Sequence, residues 1–170
     1  MNSGAPHENW RECYRQLAPK LVLFARQWVG SRADAEDVVQ AAFVRFWRRQ
    51  PLAQPEHYPL LYAAVRSAAI DQLRRDRRRA ERETVHQLEA GSQLFELPPQ
   101  QQEEGAAIEA ALQRLPEAQR EVLVLRIWGE LTFAEIATAL GASINTITSR
   151  YRYGLETLRR VMKAHEYERV

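Results

Sequence analysis

A single cysteine, Cys13, stands in 170 residues. One thiol cannot close an intrachain disulfide, so packing alone must hold the fold, and nothing in the cysteine usage points to an oxidising compartment. The four histidines, His7, His57, His86 and His165, are scattered, and neither paired cysteines nor a His-Glu-x-x-His spacing offers a metal site. No apolar run approaches the ~20 residues needed to span a bilayer, and the residues ahead of Trp10 carry no apolar signal-peptide core, so a cytoplasmic protein is expected. A phosphate-cradling glycine loop, a nucleophile elbow and a convincing acid/base pair are also missing. An enzyme is therefore the weakest reading, and no cofactor or small-molecule substrate is expected. A net charge of +2 excludes a generally sticky polycation. Strand-like alternation is absent, which leaves an all-α chain.

Helical periodicity is what remains, and it is densest from Leu131 to Arg160. Thr132 with Glu135 forms a capping box, so a helix is expected from Phe133 with Ile136, Ala137 and Leu140 facing inward. Gly141 supplies the turn. Ala137, Gly141 and Ile147 are spaced by four and then six residues. A helix-turn-helix needs, at those places, a small residue, one tolerant of positive φ and a buried branched one. Ser143 can cap the second helix, whose inward stripe is Ile144, Ile147, Tyr151, Leu155, Leu158 and Met162. The opposite face then carries Asn145, Thr146, Thr148, Ser149, Arg150, Arg152 and Tyr153, side chains suited to base edges and phosphates in a major groove. Taken alone, the motif also fits a helical hairpin with a solvated polar face.

The first half holds three further helical stripes. Trp10, Cys13, Tyr14, Leu17, Leu21, Phe24 and Trp28 make one, with Pro19 placed to kink it and Gly30 to end it. Ser31 and Asp34 offer a weaker cap for a helix over Arg32 to Arg49, which buries Ala35, Val38, Val39, Ala42, Phe43 and Phe46. Its other side, with Asp34, Glu36, Asp37, Gln40, Arg45 and Arg48, fits either a plain bundle member or a docking strip for a partner helix. Gln50 to Pro59 holds three prolines and reads as a rigid loop. Pro59 then opens a helix through Tyr62, Val65, Ala69, Ile70 and Leu73 that ends in the arginines from Arg74 to Arg82. Arginines at a helix end favour its dipole, but this density is better explained by phosphate contact. Residues 83–106 are Gln-, Glu- and Pro-rich and read as an acidic linker. Ile108, Ala111, Leu112 and Leu115 form a short helix after it, and Pro116 opens another with Ala118, Val122 and Leu125 buried, ended by Gly129. Two small helical domains are expected, over 1–82 and 107–170.

Together the halves resemble the extracytoplasmic-function (group IV) sigma factors of bacterial RNA polymerase, small members of the sigma-70 superfamily with only regions two and four. Asp34 to Trp47 and Leu60 to Arg79 are similar to the two signature helices of region two. Leu115 to Arg126 and the helix-turn-helix are similar to region four. The resemblance implies an alternative sigma factor that binds core RNA polymerase and directs promoter-specific initiation. Asp34, Glu36, Asp37, Gln40, Arg45 and Arg48 would then dock on the β′ coiled coil. The Gln50–Pro59 loop, with Gln54, His57 and Tyr58, would receive a flipped minus-ten base. Arg66, Ser67, Asp71, Arg74, Arg75 and Arg78 would meet the minus-ten element and its melted strand. Ser143, Asn145, Thr146, Thr148, Ser149, Arg150, Arg152 and Tyr153 would read the minus-35 element, with the second domain also touching the β flap. Ala41 and Ala42 stand where the family usually has Glu and Thr, Leu60 where it has Trp, Ser67 for Asn and Thr148 for Lys. With no further domain after Val170, regulation is expected from a separate anti-sigma factor, often membrane-bound in this family, that could hold the protein at the inner membrane. A stand-alone DNA-binding regulator and a purely protein-binding adaptor are the alternatives; the first leaves the Asp34 to Arg48 strip without a purpose, and the second must explain away both arginine-bearing helices.

Overall fold

A computed structural model describes residues 6–50, 52–82 and 102–168, with side chains over 8–50, 52–82 and 105–164. Every regular element among the described residues is helical, and the chain divides into two compact units, residues 1–92 and 93–170. The residues between Arg82 and Gln102, most of the expected linker, lie outside the described residues.

The first unit is a three-helix bundle of α1 (Pro6–Ala25), α2 (Arg32–Arg49) and α3 (Tyr58–Arg82), in which each helix packs on the other two. Trp10, Cys13, Leu17, Leu21 and Phe24 of α1 are buried as the stripe requires, and Trp28 follows them in a turn beyond the helix end. Tyr14 departs from that stripe: it is 41% exposed, lying at its edge with its ring 4.8 Å from Phe43. Pro19 neither splits nor ends α1. It stands on the exposed side, where solvent can satisfy the Arg15 carbonyl that loses its N–H partner. At the start of α2, Ser31 accepts from the Asp34 N–H at 3.1 Å, and its own hydroxyl donates to the Asp34 carboxylate at 2.6 Å. Phe24 stacks edge-on against Tyr62 of α3 at 5.7 Å and closes the core between α1 and α3. Ile70 and Leu73, toward the arginine end of α3, are only half-buried.

The second unit is built around α7 (Ile144–Glu168), on which α4 (Gln102–Gln113), α5 (Glu117–Ile127) and α6 (Phe133–Leu140) all pack. α4 starts inside the stretch read as linker. Its Gly105 and Glu109 are already buried, so the helical surface begins earlier than its apolar spacing announces. The five consecutive residues Glu121 to Leu125 are all buried, which marks α5 as a helix enclosed on every side rather than one with a single apolar face. Leu112, Leu115 and Leu123 form the centre, surrounded by Ile108, Trp128, Tyr151, Leu155 and Leu158.

Two chain reversals frame α6. After α5 the left-handed conformation falls on Glu130, with φ 59°, and not on Gly129. Gly129 is needed for another reason: a Cβ there would lie 2.5 Å from the Leu125 carbonyl oxygen. After α6, Gly141 is left-handed at φ 62° and ψ 38°, and the Ala142 N–H returns to the Ala137 carbonyl at 3.1 Å, as the helix-turn-helix spacing requires.

Candidate nucleic-acid interface

The recognition helix is set by local chemistry at both of its approaches. Thr132 and Glu135 complete a reciprocal capping box, with the Thr132 N–H donating to the Glu135 carboxylate at 2.7 Å and the Glu135 N–H to the Thr132 hydroxyl at 3.2 Å. Ser143 caps α7 by accepting from the Thr146 N–H at 3.1 Å. Arg126 ties this corner to α5: its guanidinium donates to the Leu131 carbonyl at 2.8 Å and lies over the Phe133 ring at 5.1 Å. Phe133 in turn packs edge-on against Tyr151 of α7 at 5.3 Å. Sequence reasoning passed over Arg126, whose role depends on a carbonyl beyond its own helix.

The inward stripe of α7 is shorter at its start than expected. Ile147 is fully buried, but Ile144, in the first turn, is 51% exposed. In α6 the buried positions are Ile136 and Ala139, while Ala137 and Leu140 are half-buried.

Of the residues expected to face DNA, Ser143, Asn145, Thr148, Arg152 and Tyr153 are exposed, whereas Thr146, Ser149 and Arg150 are partly covered. Several have local duties. The Ser143 and Thr146 hydroxyls are 2.9 Å apart and share a hydrogen bond, and Thr148 donates its hydroxyl to the Ile144 carbonyl at 2.9 Å. Arg152 lies over the Tyr153 ring at 4.9 Å and donates to its hydroxyl at 3.2 Å. Asn145, Thr148 and Arg152 recur at three and four residues, so they share one helix face.

In the first unit, Asp34, Glu36, Asp37, Gln40, Arg45 and Arg48 are all exposed, but the structure separates them into two edges of α2. Asp34, Asp37 and Arg45 line a groove between α2 and α3, opposite Ser67, Asp71 and Arg75. Glu36 and Gln40 lie away from that groove, where Glu36 pairs with Arg32 at 2.7 Å. Residues assigned from resemblance to two different partners thus share one groove. Exposed pairs of this kind contribute only ~0–1 kcal/mol and yield readily to a stronger partner.

On α3, Ser67, Asp71, Arg74 and Arg78 recur at four, three and four residues and form an exposed face. Asp71 pairs with Arg74 at 3.6 Å, and Arg78 donates to the Arg74 carbonyl at 3.2 Å. Arg75, Arg78, Arg79 and Arg82 surround a shallow depression, a density of guanidinium charge suited to phosphate. Arg66 stands apart, over the Trp28 ring at 5.9 Å.

The loop before α3 contains a short 3-10 turn over Pro55–His57. Gln54 is exposed, while His57 and Tyr58 are half-buried. Tyr58 turns toward the buried Cys13. Burial pushes the thiol of Cys13 above its ordinary range against the opposing effect of the Tyr58 hydroxyl, and burial together with Cys13 raises Tyr58 in turn. Among the described residues, no group of three or more His, Cys, Asp or Glu is placed to hold a metal ion, and no helix is long and apolar enough to cross a membrane.

A capped helix-turn-helix on one unit and an arginine-faced helix after a loop with a 3-10 turn on the other fit a protein that reads DNA with two parts. Residues 13–79 match the family of sigma-70 region 2, and residues 105–158 match sigma-70 region 4. The ECF RNA polymerase sigma factor RpoE of Cereibacter sphaeroides is 29% identical over 154 residues, covering 89% of this chain and 84% of that protein. The ECF RNA polymerase sigma factor SigE of Mycolicibacterium smegmatis is 30% identical over 174 residues, covering 94% of this chain and 64% of that protein. Among solved structures, the sigma factor RpoE of Bartonella quintana, crystallised with the anti-sigma factor NepR, superposes with a TM-score of 0.68 at 22% identity, over 92% of this chain and 98% of that one. CnrH, solved with the cytosolic domain of CnrY, gives 0.64 at 21% identity, over 91% and 88%. The chain belongs to the sigma-70 family, as an alternative sigma factor of the ECF class that directs promoter-specific transcription initiation.

Proposed function

We propose that the two units act in sequence: the protein binds core RNA polymerase first, then engages two promoter elements and uses binding energy to open the strands. The observation that carries this reading is the pairing of a capped recognition helix on one unit with an arginine-faced α3 beside a fixed loop on the other. Asp34, Glu36, Asp37, Gln40, Arg45 and Arg48 dock on the β′ coiled coil. The Gln50–Pro59 loop takes up a base flipped from the minus-ten element, and the exposed face of α3 holds the separated non-template strand. Flipping a base costs a few kcal/mol, which stacking and hydrogen bonds in the loop and arginine contacts to phosphate return. Melting on this scheme needs no ATP.

The minus-35 element is read by Asn145, Thr148 and Arg152 at the centre of the exposed α7 face, with Ser149, Arg150 and Tyr153 beside them. Ser143 and Thr146 serve first as the cap and contribute through their remaining acceptor capacity. The domain division is region two over 1–82, a linker over 83–106 and region four over 107–170, with the α4 helix reaching back to Gln102. The second unit also touches the β flap. The protein works in the cytoplasm as a binding subunit rather than an enzyme, and a separate anti-sigma factor holds it inactive; one structural neighbour was solved with the anti-sigma factor NepR, and another with the cytosolic domain of CnrY.

The test is transcription reconstituted with core polymerase from the source organism on promoters mapped by sequencing transcript starts after overproduction. A shared pair of upstream elements at fixed spacing, used only when the protein is added, is the expected outcome. Failure to comigrate with core on gel filtration overturns the reading.

A further inference from the structure

The loop from Gln50 to Pro59 is held by a helix distant in sequence. The Asn9 side-chain carbonyl accepts from the Ala53 N–H at 2.6 Å, across 44 residues. The neighbouring Trp10 donates its indole N–H to the Gln50 carbonyl at 3.2 Å, across 40 residues. The same indole meets Phe43 and Phe46 edge-on at 6.4 and 6.1 Å, and Phe46 meets His57 at 6.1 Å. Ala53 is buried, while its neighbours Leu52 and Gln54 are exposed. One point inside the loop and one at its start are therefore fixed from α1, while Leu52, Gln54, Pro55 and Glu56 are presented to solvent.

This arrangement does more than close a core. Ala53 is buried and both bonds are partly shielded from water, so Asn9 and Trp10 satisfy backbone groups that solvent cannot freely reach, and in doing so they fix the loop in one shape. A loop that must accept an extruded base gains most from being ordered beforehand, because ordering it at the moment of binding would reduce both affinity and discrimination. We propose that Asn9 and Trp10 are positioning residues for minus-ten recognition, which makes the start of α1 part of the promoter reader. The proposal rests on the base-receiving role given to the loop above.

The experiment uses holoenzyme assembled from core polymerase and the full chain, with single-stranded oligonucleotides carrying the mapped minus-ten element and each single-base substitution of it. Asn9→Ala removes the acceptor, Asn9→Asp keeps one, and Trp10→Phe removes the indole donor while leaving an aromatic ring. Asn9→Ala and Trp10→Phe should each lower discrimination at the flipped position about fivefold to tenfold. Affinity for core and for minus-35 duplex should stay within twofold, and Asn9→Asp should restore discrimination. Unchanged discrimination in Asn9→Ala overturns the proposal, as does a loss of core affinity equal to the loss of discrimination, since that would mean only general damage to the bundle. Gln54→Ala separates the two levels of inference. If it too leaves base preference intact, the loop is not the reader and the proposal falls with that role; if it alters preference while Asn9→Ala does not, the positioning idea alone is wrong.

Discussion

Replacing Gly141 by alanine is the sharpest test of the helix-turn-helix geometry. The residue has φ 62° and ψ 38°, and a Cβ built on it meets nothing within 4 Å. Steric crowding with neighbours is thus absent, and the cost is confined to the backbone. Left-handed conformation costs an L-residue roughly 1–2 kcal/mol, and the stiffer unfolded chain of alanine offsets roughly 0.4–1 kcal/mol of it. A net loss of about 1 kcal/mol is expected. Asparagine, which tolerates this region better, should cost clearly less. Native-state hydrogen exchange on the full chain reads the change locally: amides of α6 and the first turns of α7 that exchange through opening of this corner should exchange about fivefold faster in Gly141→Ala, with α1 to α3 unaffected. The reasoning is refuted if Gly141→Ala exchanges like the parent protein, or if Gly141→Asn is perturbed as strongly as Gly141→Ala.

Three further expectations concern separate features. Thr132→Ala removes the hydroxyl of a complete capping box and should destabilise the second unit by about 1 kcal/mol, measured by denaturant unfolding, with Thr132→Ser close to neutral. Arg152→Ala should weaken minus-35 binding by the holoenzyme about tenfold, and titration at several salt concentrations should show whether the slope falls by about one, as for a phosphate contact, or the loss is confined to one base pair. Cys13, 3% exposed and with its thiol raised by burial, should resist alkylation at neutral pH in the folded protein and react fully in denaturant. Because its folded-state value lies above the unfolded one, the neutral thiol is the form the fold favours. Stability from this group is therefore present at and below neutral pH and declines as alkaline pH ionises the unfolded-state thiol and then the folded one.

What could be read without coordinates was whatever repeats at helical spacing or depends on neighbours a few residues apart. The caps at Ser31, Thr132 and Ser143 and the glycine turn at Gly141 are bonds across three to five residues, and each is present as expected. The misses have physical causes. Ile144 and Tyr14 carry apolar side chains at correct spacing, yet one lies half-exposed in a first helical turn and the other at the edge of its stripe. Positive φ falls on Glu130, while the adjacent Gly129 is required by its close approach to Leu125, a division of duties invisible in residue preferences. The bonds from Asn9 and Trp10 to the loop cross 44 and 40 residues, and no local period encodes them. The groove joining Asp34 and Asp37 to Ser67 and Asp71 likewise exists only once α2 and α3 are packed.

The eight residues of α6 bear on how such proteins can be re-engineered. Isolated helices shorter than about 12–15 residues are marginal in water, so α6 owes its existence to what surrounds it. Its capping box lies at one end, Gly141 at the other, and Arg126 of the preceding helix grips the Leu131 carbonyl and the Phe133 ring. A promoter-specificity exchange that transplants only residues 131–160 would leave Arg126 behind and present a recognition helix without its brace. A portable cassette must carry Arg126 and its helix α5 along with the motif, or else the exposed α7 side chains are exchanged in place.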